Sequence, residues 1–174
     1  MNVSEAIRTK RAVREFAHEV LPEAAIRQIL NGGRRAQSSK NSQPWSFVVV
    51  RDPATRQELS RLGTYAGHLA GAAMVVVLVS NDPAIRPSIL FDLGQAASYL
   101  QLAAWDLGIG SCLATIYEPE KAAELLHLPP DQHARFALSF GYPADPAVIT
   151  APPRTGGRRP IQETAHWERW GGTP

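Results

Sequence analysis

The sequence predicts an α/β domain in which helices cover a sheet of four strands, and three observations carry that expectation. Apolar runs at 47–50, 74–79, 111–116 and 134–140 have the length and the bounding turn residues of strands. Between them lie segments with apolar residues at helical spacing, the longest running from 88 to 107. The chain of 174 residues fits one domain, enough to bury roughly 70% of the surface of the unfolded chain. Helices alternating with strands point, on pattern alone, to a parallel sheet.

Composition narrows the function classes. A net charge of +2 gives only a weak whole-molecule field, so any anion-binding feature must be local. A single cysteine, Cys112, excludes an intramolecular disulfide and a cysteine-based zinc site. The five histidines are scattered, without the i,i+4 pair of a helical metal site. The N-terminus lacks a secretory pattern, and the apolar segment 89–109 is interrupted by Asp92, Gln95, Gln101 and Asp106. A cytoplasmic protein without a membrane span is expected.

In chain order, Asn2 and Glu5 form a capping-box pattern before a short helix carrying Val3, Ala6 and Ile7. That helix runs into Lys10-Arg11-Ala12-Val13-Arg14-Glu15-Phe16, where three cations could clamp a phosphate or simply face water. Pro22 at the first helical position and the stripe Ala25, Ile26, Ile29, Leu30 predict a second helix, loosened at Gly32-Gly33. Arg34 and Arg35 read as surface residues.

Next comes Ser38-Ser39-Lys40-Asn41-Ser42-Gln43-Pro44-Trp45-Ser46-Phe47, a polar turn-prone segment that runs into Val48-Val49-Val50, read as a buried strand. Pro44 keeps Gln43 extended, which holds the polar cluster at the mouth of the strand, and Trp45 adds a flat surface. Such a segment suits a planar ring rich in heteroatoms.

Asp52-Pro53 starts a polar helix ended by Gly63, and His68 in the small-residue segment 65–71 reads as a surface or satisfied core residue. The run 74–79 is unbroken and reads as a central strand covered on both faces. A short turn at 81–87 precedes the long helix, whose many alanines suit a central or interface position. Gly108-Ile109-Gly110 ends it; with no third glycine and a helix-to-strand order, this is no dinucleotide fingerprint. Cys112 in the following strand reads as a small buried hydrophobe. Glu118-Pro119 opens a further helix, and Gly141-Tyr142-Pro143 closes the last strand. From 144 on the chain is rich in Pro, Gly and Arg and cannot build a core of its own.

Ser-Ser-x-Asn-x-Gln-Pro-Trp-x-Phe followed by valines resembles the flavin-binding signature of the FMN-dependent nitroreductase family. The basic segment resembles the family's Arg-Arg-Ser-x-Arg-x-Phe motif, with Lys10 for the usual Arg and Ala12 for the usual Ser. Phe91-Asp92-Leu93-Gly94-Gln95, Leu107-Gly108-Ile109-Gly110-Ser111-Cys112 and Gly141-Tyr142-Pro143 follow in the family's order. The resemblance implies an α+β fold, a three-layer α/β/α sandwich with a mixed, largely antiparallel sheet, assembled as an intertwined homodimer. Residues 1–174 would then be one domain, with about 144–174 an arm wrapping the partner subunit.

It also implies FMN as cofactor, NADH or NADPH as reductant, and a small-molecule electron acceptor such as a nitro compound or quinone. Lys10, Arg11, Ala12 and Arg14 would meet the phosphate and ribityl chain, joined by Arg158 or Arg159. Ser38, Ser39, Lys40, Asn41 and Gln43 would address ribityl and ring edges. Ala114, Thr115 and Ile116 would lie beside the ring, with the Thr115 N–H the donor to flavin N5. The short turn after Ser80 places the chain with compact members, and the same fold could serve another flavin reaction such as dehalogenation, azoline oxidation or flavin breakdown. A rival of another class, nucleic-acid binding through Arg154, Arg158, Arg159 and Arg169 with Trp167 and Trp170, is disfavoured by the weak net charge.

Overall fold

A computed structural model describes residues 1–152 and 157–174. Its four strands are β1 (Ser46–Val50), β2 (Met74–Ser80), β3 (Gly110–Thr115) and β4 (His133–Gly141), in the spatial order β1-β2-β4-β3. Every neighbouring pair is antiparallel, which corrects the parallel sheet expected from pattern alone. β2 and β3 do run the same way and are joined through a helix, but β4 inserts between them. Periodicity finds a helical crossover; it cannot tell whether the strands it joins are neighbours. Among the described residues the sheet is mixed only through the basic segment, where Ala12 bridges Ser111 in parallel and Phe16 bridges Pro143 in antiparallel fashion.

All seven residues of β2 are buried. Met74, Val76 and Leu78 pack with Ile26 and Ile29 of α2 (Glu23–Gly33) and with Leu93 and Leu100 of α4 (Ser88–Asp106). Val75, Val77 and Val79 face the other way, onto Leu59 of α3 (Pro53–Ser60), Leu69 and Ala122 of α5 (Pro119–Leu125). These two apolar layers make the three-layer sandwich. β1 differs from its expectation: it is the outer strand, with Ser46 exposed and residues 47–49 only half-buried.

α1 (Val3–Thr9) is capped by Asn2, whose Oδ1 accepts the Glu5 N–H at 2.9 Å. Its two ends dock on the end of α4: the Met1 amino group meets Asp106 at 2.9 Å, and the buried Trp105 indole N–H donates to Thr9 Oγ1 at 3.0 Å. After β4 the chain forms α6 (Ala147–Thr150), whose Val148 and Ile149 pack on the core beside α5. Residues 157–164 are exposed, as are Trp167 and Trp170, the latter stacking its ring 4.2 Å from His166. Arg154 lies outside the described residues. Among the described residues no helix is long and apolar enough to cross a membrane.

α2 continues through Gly32 and Gly33 rather than loosening there, because α4 approaches too closely for any side chain. A Cβ on Gly33 would sit 2.5 Å from Leu100 Cγ, and one on Gly32 would sit 2.8 Å from Ala103 Cβ. Gly33→Ala should therefore cost about 1–3 kcal/mol by overpacking. A thermal melt should show the midpoint falling by roughly 2–4 °C for each kcal/mol lost. An unchanged midpoint would mean that the helices separate freely.

Candidate functional site

The 38–43 loop ahead of β1 is held in a costly shape. Lys40, Asn41 and Gln43 have φ of 55°, 52° and 45°, the left-handed region that residues with a Cβ avoid, so Gln43 is not the extended residue expected before Pro44. Strain of this kind costs of order 1–3 kcal/mol per residue and persists where surroundings over-determine it. Here the restraints are visible. Ser38 Oγ accepts the Gln43 N–H at 2.9 Å, and Asn41 Oδ1 accepts from Gln43 Nε2 at 3.2 Å. Arg86 Nη2 donates to Ser42 Oγ at 2.8 Å, and the Ser39 N–H donates to both carboxylate oxygens of Asp92, at 3.1 and 3.2 Å. The side chains of Ser39, Lys40, Asn41 and Gln43 are exposed.

The basic segment forms a second cluster, along β3. The Val13 N–H donates to Ser111 O at 3.0 Å, which fixes the segment on the start of that strand. Lys10 is half-buried, and burial is the main cause holding its ammonium below the ordinary lysine value. Cys112 works against that shift and the charge of Arg158 adds to it, so Arg158 lies near Lys10. Arg158 and Arg159 are both exposed. Arg14 faces His68 and Cys112 electrostatically. Among the described residues none of Lys10, Arg11, Arg14, Arg158 and Arg159 is in an ion pair. Unpaired cations gathered around a half-buried lysine suit an anion.

Arg11 stands apart from this group. Its guanidinium donates to the carbonyls of Thr9 at 3.2 Å, Pro152 at 3.3 Å and Ala151. It ties the basic segment to the root of the arm. Ala12 is exposed and offers no hydroxyl.

β3 supplies a hydrogen-bonding edge. Ile116 donates its N–H to Arg135 O at 2.8 Å, and the register pairs Ala114 with Ala137, so alternation directs both N–H groups toward β4. Their side chains are buried in the core. Thr115 is the reverse: its side chain is exposed, and alternation turns its N–H away from β4, where no acceptor occurs among the described residues. Its carbonyl lies against Gly63, where a Cβ would come within 2.2 Å. The glycine expected to stop α3 thus also admits the chain to the β3 edge.

His68 is half-buried and bonded to the core. It sits in a 3-10 turn, Gly67–Leu69, above the sheet, with Nδ1 2.7 Å from the hydroxyl of the fully buried Ser139. Ser139 donates in turn to Cys112 O at 3.3 Å. A carbonyl only accepts, so a hydroxyl that donates to it accepts from the ring, the arrangement of an Nδ1–H tautomer. Nε2 is buried and has no partner among the described residues. Burial first, then the Arg14 charge, hold the ring below the ordinary histidine pKa, against a smaller opposing effect of the Leu113 carbonyl. Its neighbour Ala66 is fully buried beneath the turn, whereas Gly67 faces open space. Cys112 is buried as expected, and burial pushes its thiol up.

One chain does not bring the two clusters together. The loop is anchored on Asp92 and the basic segment on Trp105, 13 residues further along the same helix. At 1.5 Å per residue the anchors stand about 20 Å apart. Lys10, Arg14, Arg158 and His68 belong with the basic segment and β3, whereas Ser39, Lys40, Asn41 and Gln43 belong with the loop at the start of α4.

The model of the Nitroreductase family matches residues 7–63 and 58–142. An NADH dehydrogenase of Thermus thermophilus is 28% identical over 172 residues, covering 78% of this chain and 84% of that protein. An FMN reductase (NADPH) of Bacillus subtilis is 25% identical over 167 residues, covering 83% and 67%. Among solved structures, an FMN-dependent nitroreductase from Clostridium difficile superimposes with a TM-score of 0.82 at 23% identity, covering 96% of this chain and 99% of that one. At that identity the superposition speaks for the fold.

A histidine with a lowered folded-state pKa weakens the fold as pH drops, because the unfolded chain takes up the proton first. Below the unfolded value of 6.5 the stability contributed by neutral His68 should be lost progressively. Thermal melts between pH 8 and 5, on the order of one unit per step, should fall less steeply for His68→Gln than for the unmutated protein. Parallel curves would show that His68 titrates as a free histidine.

Proposed function

Because this chain belongs to the Nitroreductase family, we propose that it is an FMN-dependent NAD(P)H oxidoreductase acting on nitro compounds, quinones or similar small acceptors. The observation that carries the reading is the group of unpaired cations around half-buried Lys10, beside the open N–H edge of β3. A phosphate-bearing ring compound matches both parts. When bound, FMN supplies hydride and electron exchange between a nicotinamide and an acceptor, chemistry that no side chain here offers.

The chain's own residues bind and orient. Lys10, Arg14 and Arg158, with Arg159 beside them, neutralise phosphate and ring-edge charge; Arg11 fixes the arm that carries the last two. The Thr115 N–H, held by its strand, is a donor for a ring nitrogen that needs no reorganisation as charge shifts there. Ala114 and Ile116 anchor that strand in the core. Ala12 contributes no hydroxyl, so ribityl contacts fall to the 38–43 loop.

That loop reaches the cofactor of a second subunit, since about 20 Å of α4 separates it from its own basic segment. A homodimer closes both halves at once. It also covers apolar side chains left bare in one chain: Phe91 at 73% exposure, Tyr117 at 61% and Trp170 at 89%. Use of NAD(P)H fits a cytoplasmic enzyme.

Protein loaded with FMN should lose its yellow absorbance on anaerobic addition of NADH or NADPH and regain it with a quinone or nitroarene. FMN should bind more tightly than riboflavin. Lys10→Ala should remove a charge-assisted contact of about 1.5–3 kcal/mol, weakening FMN by roughly 10- to 100-fold while leaving riboflavin alone. Equal affinities for the two flavins, by titration calorimetry, would remove the phosphate from the basic cluster.

Light scattering on the FMN-loaded protein should give twice the chain mass of 19.0 kDa. The mass of one chain, with FMN still bound, would end the shared-site arrangement.

A further inference from the structure

We propose that Asp92 is a positioning residue that sets the 38–43 loop in its ligand-ready shape before any ligand arrives. The inference rests on the reading of that loop as flavin-binding. Asp92 is 2% exposed and lies in the second turn of α4. Among the described residues it forms no ion pair, and its two oxygens converge on one donor, the Ser39 N–H, at 3.1 and 3.2 Å. A buried carboxylate without a cation is unfavourable for folding, so stability alone does not account for it.

The location of its one contact does. Ser39 immediately precedes the left-handed residues Lys40 and Asn41. Gripping the Ser39 N–H fixes the Ser38–Ser39 peptide, one residue ahead of that strained path. The second long-range tie, Arg86 to Ser42 at 2.8 Å, comes from the turn just before the same helix. Both restraints therefore issue from residues 86–92, and the loop rests on the start of α4. The preceding residue, Phe91, is 73% exposed, whereas Asp92 is buried and bonded to the loop.

A loop that spends less time in its competent form lowers ligand affinity by that fraction. The loop addresses ring and ribityl groups rather than phosphate, so releasing it should weaken FMN and riboflavin by the same factor. This separates Asp92 from the cations, whose loss acts on FMN alone.

The test begins without a variant. In the ligand-free, unmutated protein, residue-resolved amide exchange should be at least about tenfold slower at Ser39 than at Lys40, although both side chains are exposed. In Asp92→Ala that protection should vanish, and FMN and riboflavin should both weaken by about tenfold. Asp92→Asn, which keeps one acceptor oxygen, should fall between. Ser39 exchanging as fast as Lys40 in the unmutated protein overturns the proposal, whatever the variants do. Loss of Ser39 protection with unchanged flavin affinity overturns its part in the ligand site. So does a loss confined to FMN. Should the unmutated protein bind no flavin at all, the proposed function fails, while the exchange comparison still decides whether Asp92 holds the loop.

Discussion

The complete burial of β2 is the constraint on which the rest of the structure depends. A strand with seven buried residues needs an apolar layer on each face and a bonded neighbour on each edge. β1 and β4 supply the edges. α2 with α4 supply one layer, and α3 with α5 the other. Within the first layer α2 and α4 pack closely because glycines stand where they meet, so the sheet's demand for cover reaches as far as Gly32 and Gly33.

From that packing α4 inherits its second task. Pressed against the sheet along its length, it serves as a ruler with a strained loop tied at one end and a cationic segment tied at the other. The distance between them is a property of helix geometry, not of side-chain choice. In the proposed homodimer the two ends that meet one cofactor come from different chains. The apolar residues exposed on α4 and on the arm are in keeping with that division.

Much of this was legible in the residues. The run 74–79 announces a doubly covered strand because nothing polar interrupts it. The polar segment at 38–43 and the cations at 10–14 were found by motif and spacing, since each is contiguous. What escaped was whatever depends on distant partners. The insertion of β4 between β2 and β3 leaves no local trace. Asp92 reads as a polar interruption of an apolar helix until Ser39 is seen above it. His68 gains its meaning from Ser139, and Arg11 from Ala151 and Pro152, partners 71 and about 140 residues away. Burial of β1 was overestimated because an apolar run does not say which strand of a sheet is outermost.

The ties of the basic segment have a consequence for the order of folding. Thr9 bonds to Trp105, Val13 to Ser111, Glu15 to Ala144, Ala17 to Tyr142 and Arg11 to Ala151. Residues near the start of the chain thus take their final places only against residues from its last two-fifths. During synthesis, β1, α3 and β2 can associate while the first segment still lacks every one of these partners. The cations that would receive a phosphate are among the first residues made and among the last to be arranged. Competence to hold a cofactor is then a late event, reached once nearly the whole chain is available, and a truncation that removes the arm's root forfeits it even with the sheet intact.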